Sequence, residues 1–273
     1  MVPLSPPCPT IIHQDKHFSV FLNGPETFTL FEIHDISFIS NLTNDENINK
    51  NDKRIIKRFI NEATKLYSNN SKTAVIPIQY SKTKNSGQYS TKLTLQNLSK
   101  PIKDKIYDFG EYANLDISNK GFTVIYEVAK INGIELPVIK ELIENRDKIY
   151  AENKKCWNNS FTTKYNFCYL IPNPIHFEGE SDFVSKLIDE LIFVGKIFQH
   201  PNYPEFSISK IIEIYTTLIM MNIVDFLISE GIIFPKCYSL NGDSISFQPL
   251  KCFEIKDVEN YIFQQTNLCI SLH

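Results

Sequence analysis

Apolar residues recur along this chain at two different spacings, and the spacing changes from segment to segment. Phe18-Ser19-Val20-Phe21-Leu22 and Phe28-Thr29-Leu30-Phe31-Glu32-Ile33 read as short strands around an Asn23-Gly24-Pro25 turn. Residues 42–51 are a polar, Asn-rich loop. From Asp52 to Leu66 the apolar positions Ile55, Ile56, Phe59, Ile60 and Ala63 fall on one helical face. Residues 69–92 are polar, with one apolar island at Ala74 to Ile78. Leu95, Leu98, Ile102 and Ile106 predict a helix that starts at Pro101 with Ser99 as its cap. An apolar strand then runs to Asp116, followed by a helix over 122–132 that stops at Asn132-Gly133. Pro137 opens a helix over 138–156, and Ser181 caps another over 182–199. Ser207 or Ser209 starts a more apolar helix that reaches Ser229 and ends at Gly231. Tyr238 to Phe247 holds two short apolar runs around a polar turn, which predicts a hairpin. A helix over 257–266 and a short strand from Leu268 to Leu272 complete the pattern. This order predicts an α+β fold, a small antiparallel sheet packed on helices.

Composition narrows the class. The chain has 273 residues, 42% hydrophobic and 22% charged, which is globular rather than disordered. A formal net charge of −3 counts against a dedicated nucleic-acid binder. Seven lysines against the single acid Asp104 between Lys72 and Lys105 make a stretch that can touch phosphates, or simply a solvated loop. The six cysteines form no CxxC pair, so reduced thiols are expected rather than staples or zinc ligands. No signal-peptide pattern opens the chain, and the most apolar run, Ile214 to Val224, is short for a bilayer. The expectation is a cytoplasmic protein with no membrane partner. No glycine-rich phosphate loop is present.

The chemistry concentrates in two places. Asp116 ends an apolar strand, Asn119 follows it, and a helical pattern begins. Asp243 lies near the tip of the 238–247 hairpin. Two acids on separate strands can hold two Mg²⁺ (or Mn²⁺) ions for nucleotidyl transfer, because one strand cannot wrap both ions. The competing reading makes Asp116 a strand-end acid capping the next helix, and Asp243 an ordinary turn residue beside Gly242.

Five segments then carry a resemblance. They are Gly87-Gln88-Tyr89-Ser90, Leu95 to Lys103, Asp116-Ile117-Ser118-Asn119-Lys120-Gly121-Phe122, Leu142 to Ile149, and Leu240-Asn241-Gly242-Asp243-Ser244. In order and character the chain from about residue 85 onward resembles the polymerase family of transpovirons, virophages and phages, distantly related to superfamily A DNA polymerases and T7-like RNA polymerases. Gln88 and Lys103 stand where that family carries Arg, Lys120-Gly121-Phe122 replaces its His-Pro region, and Ser244 replaces its Gly. The resemblance implies a palm domain in residues 81–273, with residues 1–80 as a strand-rich accessory region holding one helix. It implies a nucleotidyltransferase for DNA replication in a virus or mobile element, with a nucleic-acid template or primer and nucleoside triphosphates as partners. Asp116 and Asp243 would be the magnesium ligands. Lys164 would neutralise the triphosphate, Tyr165 would stack on a base, and Asn119, Arg146 and Lys103 would bind substrate. Two other readings stand beside it: a catalytically inactive, palm-derived nucleic-acid-binding or assembly protein, and a viral structural or interaction protein.

Overall fold

The computed structural model describes residues 11, 13, 18, 24–66, 72–82, 89–91, 95–154, 170–171, 181–200, 202–204 and 206–273. The fold is α+β, with two small antiparallel sheets among the described residues. The chain divides into two compact units: 1–22, 117–219 and 259–271 form one, and 23–116, 220–258 and 272–273 form the other. The 80/81 line expected from the sequence falls inside a strand, Thr73–Lys82, of the second unit.

In that second unit, β1 (Thr27–Asp35) pairs along its whole length with β2 (Thr73–Lys82), and β3 (Tyr89–Ser90) extends the end of β2. β2 alternates cleanly. Ala74, Ile76, Ile78 and Tyr80 are buried, while Val75 and Gln79 are exposed. Pro77 is tolerated for a specific reason. It lies opposite Phe31, whose N–H turns away from β2 to the Lys236 carbonyl at 2.8 Å, so the missing proline donor faces away from β1. Between the strands come α1 (Ile36–Leu42), capped by the Asp35 carboxylate on the Phe38 N–H, and α2 (Lys50–Leu66). The apolar pattern of the sequence does not predict α1.

The apolar stripe of α2 is the expected one. Ile56, Phe59 and Ala63 join Leu30, Ile76, Ile78 and Tyr80 in one core. Its start is fixed by reciprocal bonds. Asn49 Oδ1 accepts the Asp52 N–H at 2.9 Å, and Asn49 Nδ2 donates to Asp52 Oδ2 at 2.7 Å. α3 (Lys100–Phe109) follows the 3₁₀ turn Leu95–Asn97 and has Ser99 in its cap position, as expected. The Ser99 hydroxyl does not bond its own helix, however. Ser99 gives both its N–H (3.1 Å) and its Oγ–H (2.5 Å) to the buried Asp52 carboxylate. Asp52 therefore ties the starts of α2 and α3 together. Asp52→Ala is expected to lower stability by about 2–3 kcal/mol, because it orphans donors around a buried site. A shift in urea midpoint at constant m measures this; a shift below about 0.5 kcal/mol contradicts it.

The second sheet has the order β4 (Ala113–Asp116), β6 (Ser244–Phe247), β5 (Ser239–Asn241), all antiparallel. β5 and β6 are the predicted hairpin, turned at Gly242, whose φ of +67° suits a residue without Cβ. Asp116 exchanges both backbone hydrogen bonds with His273, at 2.9 and 3.1 Å, so residue 273 lies along the edge of β4 that faces away from β6.

The described residues of the other unit are mainly helical. It holds α4 (Lys120–Ile131), α5 (Pro137–Glu144), α6 (Arg146–Glu152) and α7 (Asp182–Ile197). α8 (Ile208–Ser229) and α9 (Ile255–Thr266) run through residues of both units. The helix expected over 138–156 is broken at Asn145, which closes α5 and precedes α6. Pro137 brings no N–H to the first turn of α5, and the next two amides are taken by Glu190 of α7, at 3.2 and 2.6 Å. Ser181 caps α7 on the Val184 N–H, as expected. α8 is 22 residues long and, by length and composition alone, long and apolar enough to cross a membrane; just over half of its apolar window is buried in the protein. The sequence predicts this helix from Ser207 or Ser209 to Ser229, with Ile214 to Val224 as its most apolar run.

A buried aromatic cluster completes this unit. His13 Nε2 lies 3.3 Å from the Phe198 carbonyl, and its Nδ1 lies 3.1 Å from Tyr215 Oη. The assignment that satisfies both is Nε2–H donating to the carbonyl, with Nδ1 accepting from the tyrosine. The ring stacks on His200 at 5.2 Å and meets Phe18 edge-on. Burial pushes the His13 pKa from 6.5 down to about 4, and His200 adds to the depression, partly offset by the Phe198 carbonyl. A folded pKa below the unfolded one means the neutral ring is favoured in the fold. Its full contribution is present above pH 6.5 and is lost as pH falls from 6.5 to 4. His13→Phe is expected to flatten the acid limb of stability by about 3 kcal/mol over that window. Parallel acid denaturation of wild type and variant reads it, and identical acid limbs would refute it.

Candidate functional site

The local sequence places the two acids at one end of the second sheet. Asp116 closes β4, and its pair across the ladder is Ser244, the first residue of β6. Asp243 immediately precedes Ser244 in the Gly242-Asp243 turn. Opposed Cα atoms in such a ladder are about 5 Å apart, so the register brings the two acids to neighbouring positions. Asp243 lies one residue beyond the ladder, where strand alternation no longer dictates its direction. Both acids are half-buried, and the Asp116 side chain is 34% exposed.

The floor beneath them is polar and ordered. Ser244 and Ser246 are buried, and the Ser246 hydroxyl donates to Asn114 Oδ1 at 2.8 Å across β4 and β6. On the other edge, His273 Nε2 comes within 3.7 Å of Asp116 Oδ2. Sequence reasoning missed His273 as a neighbour of the acid. Only the tertiary pairing of residues 116 and 273 brings them together. The hairpin is fixed from behind as well. Ser239 at the head of β5 donates to the buried Glu32 of β1 at 2.6 Å, and the Leu240 N–H donates to Tyr80 Oη at 3.1 Å.

The remaining residues named from the sequence belong to both units. Lys103 is half-buried on α3, in the same unit as the acids. Asn119 and Arg146 both line a groove of about 630 Å³ in the helical unit, together with Thr123, Glu127, Lys140 and Cys269. Asn119 holds the left-handed backbone conformation, φ 50°, at the head of α4. Its Oδ1 is buried and meets no hydrogen-bond partner among the described residues. The Asn119 side chain makes no capping bond at the head of α4, where the Thr123 hydroxyl donates to the Ser118 carbonyl at 2.6 Å. Arg146 Nε is spent on the adjacent Asp147 at 2.9 Å. Glu127, which the sequence reading did not single out, is buried in the groove wall and holds the Cys269 N–H at 2.9 Å and the Lys130 ammonium at 3.2 Å. Lys164 and Tyr165 lie outside the described residues.

Two carboxylates with hard oxygen donors suit Mg²⁺ or Mn²⁺, which are commonly held by one or two protein carboxylates plus water and substrate phosphates. No group of three or more His, Cys, Asp or Glu side chains poised for a metal occurs among the described residues. Two carboxylates at the β4–β6 end are fewer than an all-protein cage needs. Comparison with known proteins adds no relative: no family model, no curated protein and no solved structure matches this chain.

Proposed function

We propose that this chain is a palm-type nucleotidyl transferase that extends a nucleic-acid strand on a template, with Asp116 and Asp243 as its metal-binding acids. The observation that carries the reading is the register. Asp116 ends β4 opposite the residue that follows Asp243, in a sheet ordered residue 273, β4, β6, β5. Along the chain these elements follow as strand, helices, hairpin, helix and closing residues, the split βαβ order. In that arrangement the first strand and the hairpin are brought side by side by the fold, although 127 positions separate Asp116 from Asp243.

When bound, Mg²⁺ neutralises phosphate charge and lowers the cost of the developing charge in phosphoryl transfer. The residues of this chain have narrower tasks. Asp116 and Asp243 fix where that charge is neutralised, the Ser246–Asn114 bond holds the two strands in register, and the Glu32–Ser239 bond holds the hairpin. With Mg²⁺ held by these two acids, phosphate oxygens of the incoming nucleoside triphosphate would supply further ligands. Lys164 remains the proposed partner of its phosphates.

The test is Mn²⁺ binding followed by primer extension on the whole chain, wild type against Asp116→Asn and Asp243→Asn. Loss of both metal binding and extension in each variant supports the reading. Unchanged extension in either one sinks it. A palm descendant that binds nucleic acid without catalysis is the second reading. It is favoured by His273, which stands within 3.7 Å of the acid that a metal would need.

A further inference from the structure

α2 concentrates positive charge on its outer face. Between Lys50 and Lys65 it bears six cations and two acids, in a chain whose net charge is −3. The two acids of the helix offset only one of these cations. Asp52 is buried and committed to Asn49 and Ser99, and Glu62 is paired with Lys65 at 2.7 Å. Lys50, Lys57 and Arg58 are exposed, and no acid pairs with them among the described residues. Arg54 is exposed too and bonds only the neutral Asn51. Together with Lys53, these side chains line one shallow concavity on the outer face of the helix. The opposite face is anchored in the core by Ile56, Phe59 and Ala63, so the cations project from a rigid element.

Geometry and charge both select a partner. Cations at 50, 53, 54, 57, 58 and 65 form a stripe along one side of a helix, about 22 Å long at 1.5 Å per residue. The surface offers no apolar anchor: all eight residues that line the concavity are Lys, Arg, Asn or Glu. An amphipathic helix that inserts into a membrane keeps its apolar face for the lipid, and here that face is spent on the core. A regular row of cations without apolar contacts suits a polyanion of regular charge spacing.

We infer that the outer face of α2 holds the phosphate backbone of a polynucleotide, independently of its base sequence. The inference does not need Asp116 or Asp243 to be catalytic. If the proposed activity holds, α2 supplies a strand-holding surface in the same unit as the two acids.

The experiment is fluorescence anisotropy of the full chain with a mixed-sequence 20-nucleotide single strand and a 20-base-pair duplex, at 50 and 200 mM salt. The comparison is wild type against the triple variant Arg54→Gln, Lys57→Gln, Arg58→Gln. All three positions are exposed, and glutamine keeps helix propensity. The expected result is affinity at least about tenfold weaker for the variant on the preferred probe, with a slope of log K against log salt shallower by about 2–3. Mn²⁺ binding by the triple variant is expected to be unchanged, and nucleic-acid binding by Asp116→Asn is expected to be retained, so this inference and the proposed activity fail separately. Equal affinity and equal salt slope in the triple variant would overturn the inference. So would a wild type that binds neither probe, whether or not it binds phosphatidylserine vesicles.

Discussion

Glu32→Ala is expected to destabilise the protein by about 3–5 kcal/mol, more than any other single change to the core polar groups of its unit. Glu32 is fully buried on β1. Its Oε2 meets His34 Nε2 at 3.0 Å, and its Oε1 accepts the Ser239 hydroxyl at 2.6 Å. The hydrogen bonds then run in one direction. The Ser239 proton goes to the carboxylate, so at the 3.3 Å contact with Tyr80 the tyrosine donates, and the Leu240 N–H at 3.1 Å fills the tyrosine's acceptor side. Cutting out the carboxylate strands the Ser239 hydroxyl and the His34 ring in a buried site, and leaves a cavity besides. Glu32→Gln keeps the shape and one acceptor, and should cost about 1–2 kcal/mol. A double-mutant cycle with Ser239→Ala separates the bond from the cavity: coupling of about 1–3 kcal/mol is expected between Glu32 and Ser239. A Glu32→Ala urea midpoint within 1 kcal/mol of wild type contradicts this account. Because Ser239 heads the hairpin that carries Asp243, Glu32→Gln should also lower extension while leaving both acids in place.

What the sequence made legible follows from which forces act locally. The α2 stripe, the Ser181 cap, the Gly242 turn and the Asn132-Gly133 stop are decided within a few residues, and the structure agrees with each. β2 was legible in principle, since Ala74, Ile76, Ile78 and Tyr80 alternate. Its outward set, Val75 and Pro77, is apolar too, so the island reads as uniform, and proline is ordinarily kept out of strand interiors. Only the non-hydrogen-bonded pairing with Phe31 makes that proline acceptable, and such a pairing is a tertiary fact. Ser99 shows the same limit. Its cap position was readable, but its hydroxyl serves Asp52, 47 positions away. The candidate site divides likewise. Each acid was visible as a strand-end or turn residue, whereas the register that sets them side by side, and the approach of His273 to Asp116, depend on pairings across more than 120 positions.

Asp116→Asn and Asp243→Asn are each expected to lower primer extension by roughly 10³-fold or more, because removing one metal-binding carboxylate forfeits several kcal/mol of charge stabilisation. The substitution is nearly isosteric. Asp116 keeps its two backbone bonds to residue 273, and Asp243 sits in a turn that asparagine also favours. Thermal midpoints should therefore stay within a few degrees of wild type, which separates a lost site from a lost fold. The sharper expectation concerns the double variant. If the two acids act on the same ions, removing the second after the first costs little, and the double variant should resemble either single one rather than multiply their losses. Multiplicative losses would mean that the acids act independently, and the shared site would have to be abandoned. His273→Gln provides the opposing check. If the histidine at 3.7 Å competes with metal for Asp116, its replacement should tighten Mn²⁺ binding, and the gain should vanish in the Asp116→Asn background. If His273→Gln instead weakens Mn²⁺ binding, the histidine belongs with the ligands, and the site is a three-residue one that the order of elements alone did not disclose.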